Sequence, residues 1–180
     1  MGSRATAAEI WDTISAEAGA ESRLWTNALR APEEQEREPV FSRLAESRYA
    51  LGIETIYEGY LLHYGRARLF TPEDDDTALL LGDYLYAHGL VRIERVGSVE
   101  AVDDLAELIA LCAYLQAERI SGDGPLWAAT AALLGRGALD DARNSLRLDN
   151  DSGPLERLAR ESTGDHEVSR SLDAHRARLR

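Results

Sequence analysis

Residues 72–96, PEDDDTALLLGDYLYAHGLVRIERV, constrain the fold more than any other stretch of this chain. Thr71 precedes Pro72 and a run of acids, and a Thr cap, a proline at the first helical position and carboxylates in the first turn together predict a helix start. Leu80, Leu81, Tyr84, Leu85, His88 and Val91 then recur at spacings of three and four, so one wide face is apolar and is expected to be buried. Gly82 interrupts this helix. A mid-helix glycine costs about 1 kcal/mol relative to alanine, which implies that another backbone comes close at that point.

The rest of the chain repeats the same period. Thr6 and Glu9 form a capping box ahead of Ile10, Trp11, Ile14 and Ala18, and a short second helix carries Leu24, Trp25 and Leu29. Pro32 and the polar run 33–38 read as a connection. Pro39 is expected to open a long helix, 39–64, bearing Val40, Phe41, Leu44, Leu51, Ile56, Tyr60 and Leu61. Such a helix is on the order of 39 Å long and needs bundle partners of similar length. Gly97-Ser98 breaks and recaps, and 98–119 forms a third amphipathic helix through Val102, Leu105, Leu108, Ile109, Cys112 and Leu115. Shorter helices follow at 126–134, 139–148 and 154–162, and from His166 onward Val168, Leu172, His175 and Leu179 keep helical spacing. No stretch alternates with period two. The expected fold is an all-α antiparallel helical bundle in one domain, 1–180, with a core at 39–138, N-terminal helices at 1–38 and peripheral helices at 139–180.

Composition narrows the function. The 180 residues carry 20 basic and 32 acidic side chains, net −12, which opposes wholesale binding to nucleic acid or an anionic membrane. Every basic residue other than histidine is arginine, so Schiff-base chemistry, a P-loop lysine and a lysine general base are excluded. The single Cys112 cannot form an internal disulfide, no apolar leader is present, and the longest apolar run, 127–134, is too short to span a bilayer. A cytoplasmic protein is expected.

No local motif supplies an active site. The acids at 73–76 fan around a helix's first turn rather than converging on one ion, and Asp103 and Glu107, one turn apart, read as a solvated pair. His63, His88, His166 and His175 lack metal-ligand spacing, and Cys112 lies on an apolar stripe. No catalytic residue, metal or cofactor is therefore expected.

Residues 79–87, LLLGDYLYA, resemble the LLGDYLxA helix of trans-type polyprenyl diphosphate synthases. Upstream, residues 54–63, ETIYEGYLLH, are similar to the segment that leads into that family's first aspartate-rich motif. Downstream, 97–118 resembles its GsxeaVxxLAxxI helix, and Ala129-Thr130-Ala131 falls where the family has Lys-Thr-Ala. The resemblance covers roughly 43–138, and it implies a truncated isoprenoid-synthase fold.

Departures from the family's pattern define what the resemblance implies for function. Tyr64-Gly65-Arg66-Ala67-Arg68 stands where the family holds magnesium with Asp-Asp-x-x-Asp, and no counterpart of the second aspartate-rich motif follows Ala138. Ala129 replaces the family's lysine. The implied role is a non-catalytic subunit of a long-chain polyprenyl diphosphate synthase, partnering a catalytic subunit or a second copy. Its interface candidates are Leu81, Gly82, Tyr84, Leu85, His88 and Val91. Arg66 and Arg68 are candidates for holding a diphosphate without metal. Two further expectations are a stand-alone protein binding an isoprenoid or other apolar ligand, and a helical interaction protein unrelated to prenyl transfer.

Overall fold

Eleven consecutive residues, 52–62, are buried in the helix α3 (Ala50–Tyr64), a pattern that only an element surrounded on every side can show. The computed structural model describes residues 7–179, without the side chains of Ala7 and Ala8. Thr6, the expected first cap, lies outside the described residues. Around α3 stand α1 (Ala7–Glu21), α2 (Arg23–Ala28), α4 (Asp75–Val96), α5 (Val99–Glu118), α6 (Asp123–Ala132), α7 (Asp140–Asp149), α8 (Gly153–Thr163) and α9 (Asp165–Arg176). The fold is all-α. Among the described residues the only β pairing is two isolated bridges, Leu29 with Phe70 and Gly65 with Leu179. No described helix is long and apolar enough to cross a membrane.

The two longest helices start and end close to where their periodicity predicts, with one cap displaced. Asp74, not Thr71, caps α4: its carboxylate accepts from the Thr77 N–H at 2.7 Å. Thr71 lies three residues before that cap, in a segment held elsewhere: its N–H donates to the Ala28 carbonyl at 2.7 Å, and Arg30 N–H donates to Leu69 O at 2.9 Å. Residues 69–71 are thereby tied along the end of α2, and Pro72 continues that connection. Ser98 caps α5 through the Ala101 N–H, and Arg119 closes it in the left-handed conformation, φ 58°.

The expected helix 39–64 is a correction. Only Ala50–Tyr64 is α-helical, while the preceding residues form two short 3₁₀ turns, Ser42–Leu44 and Ser47–Tyr49. The cause lies in Glu54, whose buried Oε1 accepts from the backbone N–H of both Val40 and Ser42, each at 3.0 Å. That carboxylate folds the incoming chain over α3 and seats Phe41 and Leu44 in the core.

The C-terminal helices are likewise not peripheral. Leu155, Ala159, Val168, Leu172 and His175 are all buried, and Ser171 Oγ donates to the Val40 carbonyl at 2.8 Å. Beyond α9 the Arg66 N–H donates to Arg178 O at 2.8 Å, so the chain returns to the end of α3. Between these elements the interior is filled by rings. Tyr57 lies 5.1 Å from Phe41, 5.1 Å from Trp127 and 6.0 Å from Tyr60, and all four are essentially inaccessible. Aromatic side chains thus occupy the space between α3, α6 and α9.

Candidate functional site

The helix α3 stops at Gly65, and the segment 66–68 follows it. Arg68 turns inward and is wholly buried. Its Nε donates to Glu58 Oε2 at 2.9 Å, its Nη1 to Glu54 Oε2 at 2.5 Å and to Glu38 O at 3.1 Å, and its Nη2 to Glu54 O at 3.2 Å. Glu58 Oε1 also accepts the backbone N–H of Arg68 and Leu69, and the guanidinium lies over the Trp11 and Tyr57 rings at 4.6 and 5.0 Å. Burial pulls the Arg68 pKa down, but the two carboxylates outweigh it and hold it above its ordinary value. The chain has thus built a closed Glu–Arg–Glu cluster at this end of α3.

The expected diphosphate pair is therefore not formed. Arg68 has no donor directed at solvent, whereas Arg66 is exposed and lies 3.5 Å from Glu36. A cleft of about 140 Å³ beside Arg66 is lined by Arg30 but also by Glu73, Asp74 and Asp75, whose charge opposes an anion.

A second polar cluster joins α3, α5, α6 and α9. Tyr57 Oη lies 2.9 Å from His175 Nδ1, and His175 Nε2 lies 3.1 Å from Asp123 Oδ2. Tyr60 donates to the same Asp123 oxygen, and Gln116 Nε2 donates to Tyr60 Oη at 3.0 Å. The Asp123 carboxylate can only accept, so His175 Nε2–H is the donor of that contact. Burial raises the Asp123 pKa, but His175, Tyr60 and the Gly124 N–H outweigh it, so the carboxyl sits below its usual range. Asp123 and His175 border a cleft of about 340 Å³. Both imidazole nitrogens and the acid are engaged internally, and the tyrosines are buried, so the cluster holds four helices together rather than presenting a free base or nucleophile.

The face of α4 expected at an interface divides in two. Leu81, Gly82 and Leu85 point inward and are buried in the chain's own contact with α3, so they cannot meet another subunit. A Cβ added to Gly82 would lie 2.5 Å from His63 Nε2, which accounts for the glycine. Tyr84 and His88 are half-buried, 4.2 Å apart, with Tyr84 5.9 Å from Trp25. Val91 is exposed, as is Leu80, which lay outside the expected set. Periodicity alone could not separate the inner from the outer half because α4 is apolar on both.

Other sequence candidates resolve simply. Glu107 pairs on the surface with Arg147 at 2.8 Å, while its neighbour Asp104, unremarkable in sequence, is buried against Arg143 at 2.9 Å. Among the described residues no group of three metal-ligating side chains converges. Burial pushes the Cys112 thiol well above its ordinary pKa, so it is not a ready nucleophile.

No protein-family model, curated protein or solved structure matches the chain. The likeness to prenyl synthases accordingly rests on the short segments at 54–63, 79–87, 97–118 and 129–131.

Proposed function

We propose that this chain is a non-catalytic subunit of a long-chain polyprenyl diphosphate synthase, acting by helix–helix contact with a catalytic partner. The observation that carries this reading is at the end of α3. The helices bearing the resembling segments, α3 and α4, pack on one another, and where the resemblance would put magnesium carboxylates stand Tyr64, Gly65 and Arg68, the last locked between Glu54 and Glu58. Prenyl transfer of the synthase type needs oxygen ligands for Mg²⁺ to neutralise the departing pyrophosphate. An arginine closed off in this way can neither bind the metal nor reach the diphosphate, so a scaffolding role fits better than catalysis. Filling of the interior by Tyr57, Tyr60, Phe41 and Trp127 also disfavours a stand-alone isoprenoid carrier.

The experiment pairs the purified chain with a full-length trans-type synthase from the same genome, one carrying both aspartate-rich motifs. The chain alone should yield no magnesium-dependent condensation product. Together the two should co-elute, and product length or rate should change several-fold. Product from the chain alone, or a synthase that neither co-elutes nor changes, overturns the reading.

A further inference from the structure

The outward side of α4 carries an apolar strip that the chain covers only at Tyr84, where Trp25 of α2 lies against it. Leu80, Tyr84, Ala87 and Val91 follow one another at spacings of four, three and four, the seam pattern of paired helices. Leu80 and Val91 are 56% and 48% exposed and Ala87 is exposed, while Tyr84 is half-buried and its buried hydroxyl finds no hydrogen-bond partner among the described residues. The seam spans roughly 16 Å, three helical turns.

Its edges differ in charge. At 3.6 residues per turn, Asp76, Asp83 and Glu94 fall along one edge, and Thr77, His88 and Arg95 along the other. Asp83 lies 3.3 Å from His63, while Asp76 and Glu94 have no ion-pair partner among the described residues. An apolar seam with one carboxylate-lined edge is complementary to an amphipathic helix whose matching edge is cationic.

We propose that this strip docks one helix of a partner protein, apolar along its contact stripe and carrying lysine or arginine along the edge that meets Asp76, Asp83 and Glu94. The proposal holds whether or not that partner is a prenyl synthase. A second copy fits less well. It brings the same net −12, and a two-fold antiparallel pairing of α4 sets like edges together, with Asp76 against Glu94.

The test uses the full chain and two synthetic 21-residue helical peptides, each with a leucine seam. One carries arginine along a single edge and the other carries glutamate at the same positions. Fluorescence anisotropy should show the arginine-edged peptide binding at least tenfold more tightly, with affinity falling as salt rises. Leu80→Ser and Val91→Ser, both at exposed positions, should weaken it at least tenfold while circular dichroism stays unchanged. The double variant Asp76→Arg/Glu94→Arg should shift the preference to the glutamate-edged peptide. Failure of the arginine-edged peptide to bind, or equal binding of the two, overturns the proposal. So does a wild-type dimer in light scattering that Val91→Arg converts to monomer, which would assign the strip to a second copy.

Discussion

A Cβ placed on Gly59 would lie 2.8 Å from the carbonyl oxygen of Gly82, so α3 and α4 touch through their backbones. The contact recurs two turns away, where a Cβ on Gly89 would approach Gly52 O to 3.1 Å. Each helix presents glycines seven residues apart, and the antiparallel pairing sets Gly52 opposite Gly89 and Gly59 opposite Gly82.

Alanine at Gly59 should therefore lower stability by about 1–3 kcal/mol, because a carbonyl cannot swing aside as a side chain can. Gly19 is the contrasting position. Its nearest neighbour is Thr26 Oγ1 at 3.4 Å, ordinary contact, so Gly19→Ala should stabilise α1 by about 0.5–1 kcal/mol. Urea midpoints at unchanged slope will read both effects.

Arg68→Gln leaves Glu54 and Glu58 buried without a cation and should cost about 3–5 kcal/mol. Replacing all three by apolar residues should not restore stability here. The backbone N–H groups of Val40, Ser42, Arg68 and Leu69 rely on these carboxylates and would be left without acceptors. Thermal melts of the single and triple variants decide the matter, and recovery in the triple would contradict it.

His63 supplies a pH dependence. Burial lowers its pKa and outweighs the opposing pull of Asp83. Below about pH 6.5 the unfolded chain then takes up a proton more readily than the folded one, so stability falls as pH drops from there toward the folded pKa. Urea midpoints at pH 7.5 and 5.5 should show this loss for the wild type, and His63→Gln should flatten it. Equal slopes for the two proteins would show that His63 is not the titrating group.

Asp123 acts lower on the scale. Its depressed folded pKa gives a stabilisation fully present above about pH 4 and lost as pH falls through the folded value. Asp123→Asn should cost about 1–3 kcal/mol at pH 7, since the Tyr60 and His175 donors lose a charged acceptor. Acid titration monitored by circular dichroism should also find its unfolding limb shallower.

Both α4 and α5 were legible in sequence to within three residues because each is long and strongly periodic, with Ser98 a local cap, although Asp74 caps α4 in place of the expected Thr71. Gly82 was legible as a close approach, though not the His63 ring that fills the space beside it. Residues 39–49 were not, since Val40, Phe41 and Leu44 mimic a helical stripe while the Glu54 carboxylate, 14 and 12 residues beyond the Val40 and Ser42 N–H groups it holds, dictates their course. Arg68 read as a candidate diphosphate contact rather than a buried ion-pair partner. The available signal was Glu54 and Glu58, acids one turn apart inside an otherwise apolar helix, which demands a buried cation. The Asp123–His175 contact spans 52 residues and leaves no local trace.

The hydrogen bond between Tyr57 and His175 joins residues 118 apart. At about 5–20 residues per second, a ribosome needs roughly 6–24 s to travel between them. Throughout that interval the apolar residues of α3 destined to pack on α9 lack that cover. Transient chaperone contact should therefore concentrate on chains arrested before residue 175, and translational stalling there should drive the protein into aggregates even where its completed form is stable.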